Sequence, residues 1–253
     1  MTREAVRLST AQVDRLGERL RASDTITEVD LLLLQKYRLE HGAALREVQE
    51  AITVALGGVA QTSRIKTIQT LHDKLRRQPT KLSRMQDIAG VRIVKDMDRI
   101  EQDAIVRDLR EAFPAAKIQD RRGMPSFGYR AVHVIVRRGR CSVEIQVRTR
   151  AQDLWAQIVE RLGDVWGREI RYGGDPEDPD RVLGGRTRRE LWALVQGWSD
   201  VIASIEDAIA EHNFAVAAGN DPSVRQFDPE DLRQRMHTGL GDLARFVDQV
   251  EGL

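Results

Sequence analysis

Apolar positions along the chain switch between helical and strand period. Leu16 and Leu20, then Leu33, Tyr37, Leu45, Val48 and Ile52, recur at helical spacing and predict amphipathic helices over residues 9–22 and about 28–56. Ser9-Thr10 can cap the first, and Gly57-Gly58 closes the second. A third helix is predicted from about Ser63 to Arg77, with Ile65, Ile68, Leu71 and Leu75 inward and Lys66, Thr70, Lys74 and Arg77 outward. Pro79 interrupts it. Ile88 to Val94, IAGVRIV, reads as a buried strand with Asp87 at its entrance. Asp98 can cap a helix that runs to Phe113, with Ile100, Ala104, Ile105, Leu109 and Phe113 as its inner side; Pro114 ends it, and a short strand follows at about Ala116 to Gln119.

The loop 120–128, DRRGMPSFG, leads into Gly128 to Thr149, where the period becomes two. Val132, Val134 and Val136 alternate with Tyr129, Ala131, His133 and Ile135; Val143, Ile145 and Val147 alternate with Glu144, Gln146 and Arg148. With Arg138-Gly139 as a two-residue turn, His133 would stand opposite Glu144. One face of this hairpin is then core, and the other displays Tyr129, His133, Glu144, Gln146 and Arg148. Helix resumes after Thr149, with Leu154, Trp155, Ile158, Val159 and Leu162 as its stripe to about Gly163. Residues 173–185 are a loop by composition. Two helices are expected near 186–216 (Leu191, Leu194, Val195, Trp198, Val201, Ile202, Ile205) and 229–251 (Leu232, Met236, Leu240, Leu243, Phe246, Val250). The sum is an α/β or α+β sheet with helices packed on it.

Composition fits a soluble, helix-rich chain: 31% of its 253 residues are charged and 5% aromatic. The apolar run Leu31–Leu34 is too short to span a bilayer, the amino terminus shows no signal-peptide core, and a single cysteine, Cys141, excludes an intramolecular disulfide and points to a reducing compartment. The net charge of +1 hides segregation, since residues 64–95 hold nine Lys/Arg against two Asp/Glu and residues 121–150 eight against one. Such a field favours a polyanion, a nucleotide or RNA, although a solvated basic face carries the same pattern.

The five histidines are scattered, and CxxC, HExxH and Walker-type glycine loops are absent. His72-Asp73 is an isolated HD pair on the third helix without the spaced companions of a metal site. What remains is two carboxylates near strands, Asp87 and Glu144, among Lys and Arg. Carboxylates holding Mg²⁺ beside cationic phosphate clamps suit phosphoryl-type transfer from a nucleotide.

Taken in order, RIKTIQTLHDKLRR (64–77), DIAGVRIV (87–94), GYRAVH (128–133) and VEIQVRT (143–149) resemble the RelA/SpoT synthetase domain of the small alarmone synthetases, over about residues 60–172. The resemblance implies an α+β fold, a nucleotidyltransferase-like mixed sheet of about four to five strands flanked by helices. It implies helical extensions over 1–59 and 186–253 beyond a 60–172 core and the 173–185 loop, and no hydrolase domain before it. It implies transfer of the β,γ-pyrophosphate of ATP to a 3′-hydroxyl with Mg²⁺. Arg64, Lys66, Thr70 (in place of the family's Ser), Lys74 and Arg77 would hold ATP. Asp87 and Glu144 would bind metal or activate the hydroxyl, and His133 would lie near the transferred group. Tyr129 would stack on the acceptor base, with Gln146 and Arg148 completing that face.

The acceptor segment departs from the guanosine-specific pattern. Gln119-Asp120-Arg121-Arg122 replaces a lysine-containing KDY-type segment, and Ala131 replaces Ser in GYxSxH. This form is more similar to the toxin branch of the family, some members of which pyrophosphorylate the tRNA 3′ CCA end, and Arg121 and Arg122 would suit a nucleic-acid backbone. Free guanine or adenine nucleotides are the alternative acceptors, and a catalytically silent RNA- or nucleotide-binding module is the alternative from another class. A protein antitoxin and a second copy of the chain, docking on the C-terminal helices, are the remaining candidate partners. A cytoplasmic setting follows from the family alone.

Overall fold

In a computed structural model the described residues are 8–219 and 228–251. Val250, expected on the inner stripe of the last helix, lies outside the described side chains. The chain forms two compact units whose segments alternate along it: the first runs to Ile93 and takes in Asp108–Ile118 and His133–Gln146, and the second holds Val94–Arg107, Gln119–Val132 and the chain from Val147 onward.

The first unit begins with α1 (Thr10–Ala22) and α2 (Glu28–Ala55). Ser9 and Gln12 close a reciprocal capping box on α1, and Thr27 caps α2. The next element corrects the expectation of one helix from Ser63. Residues Gln61–Ile65 form an edge strand, β1, paired antiparallel with β2 (Ala89–Lys95) from Gln61↔Ile93 to Ile65↔Ala89, and helix α3 covers only Ile68–Arg77. Thr67 sets the boundary. Its extended backbone (φ −65°, ψ 160°) and side chain cap the helix by accepting from Thr70 N–H, while Lys66 N–H still donates to Ile88 O at 2.8 Å. Ile65 and Ile68 continue each other's spacing across the break, which hid the strand.

Leu71 and Leu75 of α3 are fully buried with Leu16, Leu20, Leu34 and Tyr37 in one cluster, each worth about 2–3 kcal/mol of burial. With α4 (Arg99–Ala112), β3 (Lys117–Asp120), β4 (Val132–Arg138) and β5 (Cys141–Thr149), the sheet is five-stranded and mixed, in the order β1-β2-β5-β4-β3. Asp98 accepts from Glu101 N–H at 2.8 Å, the cap expected for α4. The hairpin turn is Gly139-Arg140, one residue later than expected, with Gly139 at φ +57°. Residues 132–136 are all buried, so β4 is covered on both faces, while Ser142, Glu144 and Gln146 on β5 keep partial exposure.

The second unit is mainly helical: α5 (Arg150–Val165), the two-residue strands β6 (Val182–Leu183) and β7 (Arg186–Thr187), α6 (Arg188–Ala217) and α7 (Pro229–Glu251). The β6–β7 ladder lies in and beside the stretch read as loop; two-residue strands leave no period to detect. Helices α5, α6 and α7 pack on one another around Trp155, Leu162, Trp166, Trp192, Val195, Met236 and Leu240. No described helix is long and apolar enough to cross a membrane.

Candidate functional site

In the first unit, β2 and α3 bring two ammonium groups to one carboxylate. Lys74 projects from the middle of α3 and its Nζ donates to Asp87 Oδ2 at 2.6 Å; Lys66, just before the Thr67 cap, reaches the same oxygen at 3.5 Å. All three side chains are 16–27% exposed, so the charges meet at a partly dehydrated surface. Asp87 Oδ1 is buried and accepts no hydrogen bond. A hard anionic oxygen without a donor fits Mg²⁺, which takes one or two carboxylates together with substrate phosphates. Among the described residues no three His, Cys, Asp or Glu gather as a metal cluster.

The other expected donor-side residues lie on β1 and α3. Arg64 is exposed on β1, opposite Gly90. Thr70 sits in the first turn of α3, its Oγ1 2.8 Å from Thr67 Oγ1, and Arg77 closes the helix with Nε donating to Asp73 O. His72 of the HD pair is buried, and its Nε2 lies 2.8 Å from Ser23 O, tying α3 to the α1–α2 connection.

On β4 and β5, His133 Nδ1 lies 2.9 Å from Glu144 Oε1, and Gln146 Nε2 donates to Glu144 Oε2 at 2.7 Å. The Glu144 side chain is 13% exposed and that of His133 5%. Gln146 thus donates to one Glu144 oxygen, and the His133 ring lies beside the other.

The second unit holds the remaining expected residues. Arg148 is buried; its Nη1 donates to Asp153 Oδ1 at 2.8 Å and its Nη2 to Tyr129 Oη at 2.9 Å, with the guanidinium 5.0 Å from the Tyr129 ring centroid. Burial opposes its charge, but the Tyr129 hydroxyl and Asp153 outweigh burial and raise its pKa above the usual arginine value. Arg148 therefore orients Tyr129. Arg122 is also engaged: it donates to Asp120 and Asp103, and its side chain is 12% exposed. Arg121 lies beside it in the loop, its N–H bonded to Ala131 O at 3.0 Å.

The sequence reading missed Asp153, which anchors Arg148 from the first turn of α5, and Arg130, which is buried against Ser199 and Asp200. An acid in a helix's first turn is ordinary, so Asp153 carried no signal, and Arg130 was one basic residue among many in its stretch.

Residues 63–162 match the region found in RelA / SpoT proteins. An uncharacterized protein of Mycobacterium tuberculosis is 39% identical over 199 residues, 76% of this chain and 71% of that protein. GTP pyrophosphokinase YjbM of Bacillus subtilis is 27% identical over 170 residues, 59% of this chain and 74% of its own. Small alarmone synthetase 1 from Bacillus subtilis, also solved bound to its product pppGpp, shares the fold at TM-score 0.52 with 20% identity, over 73% of this chain and 98% of that one. These likenesses give the chain a RelA/SpoT domain over residues 63–162 on the fold of the small alarmone synthetases, and they support ATP-dependent pyrophosphokinase activity.

Proposed function

We propose that this protein transfers the β,γ-pyrophosphate of ATP to the 3′-hydroxyl of an RNA end, the tRNA CCA terminus, and so blocks translation. The observation that carries the donor half is the convergence of Lys66 and Lys74 on Asp87, whose second oxygen has no donor. Lys66, Lys74, Arg64, Thr70 and Arg77 hold the triphosphate, and Asp87 holds the magnesium ion, which when bound neutralises charge on the phosphates. Glu144, oriented by His133 and Gln146, accepts the proton of the acceptor 3′-hydroxyl. The hydroxyl oxygen bonds to the β-phosphorus, the bond from that phosphorus to the oxygen bridging to the α-phosphate breaks, and AMP leaves with that oxygen. Tyr129, fixed by Arg148, stacks on the acceptor base.

The Gln119–Arg122 segment and Ala131 support RNA as acceptor. A second reading, synthesis of (p)ppGpp on GDP or GTP, is favoured by the likeness to an enzyme solved with pppGpp. The test is transfer from γ-³²P ATP with Mg²⁺ to deacylated tRNA or to GDP, GTP and AMP offered separately. Label on tRNA is the expected result; label on GDP or GTP alone would replace it with the second reading.

A further inference from the structure

The segment between β3 and β4 makes a tight turn at Ser126–Tyr129: Tyr129 N–H donates to Ser126 O at 3.0 Å and Ser126 N–H to Tyr129 O at 3.3 Å. Its central residues both have positive φ, Phe127 at 52° and Gly128 at 85°. That is the pattern of a type I′ turn, whose first central position favours Asn, Asp or Gly and disfavours a bulky side chain. Phe127 is nonetheless there, and it is half exposed. Gly128 is accounted for by packing, because a Cβ there would lie 2.7 Å from Trp155 Cζ2. Phe127 has no such account.

The ring is backed on one side. A Cβ at Gly173 would fall 2.3 Å from Phe127 Cε1 and 2.5 Å from Cδ1, so only glycine lets the ring lie against that backbone. Tyr172, the preceding residue, is 46% exposed, and Met124 in the same loop is 86% exposed. The acids following Gly173 are partly matched, Asp175 and Asp180 both lying within ion-pair distance of Arg189. A strained turn thus presents a supported aromatic face two residues before Tyr129, within about 7 Å along the chain.

We infer that Phe127 is a stacking platform for a second nucleobase, that of the nucleotide preceding the acceptor in a single-stranded RNA 3′ end. The inference rests on the reading of Tyr129 as the acceptor-base platform and gives that site a preference for oligonucleotides over mononucleotides. Aromatic stacking on successive bases is sequence-tolerant and sufficient to discriminate chain length.

The test is fluorescence anisotropy of a 5′-labelled oligoribonucleotide ending in unpaired CCA, with wild type, Phe127→Asn and Phe127→Trp, beside transfer kinetics on the same RNA. Asparagine suits the turn, so Phe127→Asn should melt no lower than wild type. Its affinity for the RNA should fall about tenfold and its KM for RNA rise to match, with kcat within about twofold, while Phe127→Trp keeps wild-type values. Equal RNA affinity in wild type and Phe127→Asn overturns the inference, as does failure of wild type to bind the RNA. RNA bound through Phe127 but never pyrophosphorylated supports the platform and removes RNA as acceptor. RNA pyrophosphorylated with the same KM by both proteins does the reverse. A protein that docks on this face without competing with RNA would also count against it.

Discussion

An added methyl group at Gly128 would meet the Trp155 ring on a backbone already at φ +85°, and Trp155 cannot retreat because its Nε1 donates to Val195 O at 2.7 Å. Gly128→Ala should cost about 2–3 kcal/mol in urea-melt stability, combining overpacking with a disfavoured backbone. Asp87 tolerates change in the opposite sense. Asp87→Asn should cut transfer by about 10²-fold or more while its stability stays within about 1 kcal/mol, since its lysine pairs are partly exposed. Biological activity unchanged by the substitution would favour a binding module over an enzyme. Individual arginines were less legible than carboxylates. Arg121 and Arg122 are adjacent and identical in type, yet Arg122 is held by Asp103 and Asp120. The salt dependence of RNA binding should therefore lose about one unit of slope in Arg121→Ala, and change less in Arg122→Ala.

Elements with strong period and clear punctuation were legible. The α1, α2, α4 and α5 boundaries fall within a residue or two of the expected ones because caps such as Ser9, Asp98 and Thr149 stand beside clean apolar stripes. β1 was not, because five residues with an exposed centre carry no alternation and Ile65 mimics the start of α3. The polar face of the hairpin was identified by residue but not by setting: His133 and Arg148 are buried, a consequence of what covers the strands. Thr149 shows how much one cap can carry. It closes the capping box of α5 with Gln152, and its hydroxyl also donates to buried Glu206, which accepts from Gln152 Nε2 at 2.8 Å and Arg99 Nε at 3.4 Å. Thr149→Ala should cost about 2 kcal/mol or more and Thr149→Ser much less, by thermal or urea melts.

For the molecule as a whole, stability should depend on pH through His41 and His237. His41 is 1% exposed, with its Nδ1 3.0 Å from Tyr37 O; burial lowers its pKa, and the contacts that favour its charged form do not restore it. His237 is likewise lowered, by burial first and despite Asp96. The unfolded chain then takes up protons below about pH 6.5 that the folded chain refuses. Stability should fall as pH drops through this range, with His41 contributing a slope of at most about 1.4 kcal/mol per pH unit. His41→Gln should flatten the curve of urea-melt stability against pH between about 7 and 5. The sheet and its flanking helices were accessible from pattern and motif. How the chain divides into units was not, because their segments interleave and no composition shift marks the crossings.

The lysine clasp on Asp87 has a thermodynamic consequence for ligand order. Under the proposed function, a divalent ion arriving alone on Oδ1 would meet a carboxylate whose charge Lys66 and Lys74 already offset on Oδ2, and ATP arriving alone would draw those ammonium groups from the carboxylate. Arriving together, the two ligands exchange partners with the protein: carboxylate to metal, ammonium to phosphate. On the proposed reading Mg²⁺ and ATP should be coupled in binding, each raising the affinity of the other by the same factor. Titration calorimetry should show weak binding of either alone and tight binding of the pair, and Asp87→Asn should strengthen metal-free ATP binding while abolishing the coupling.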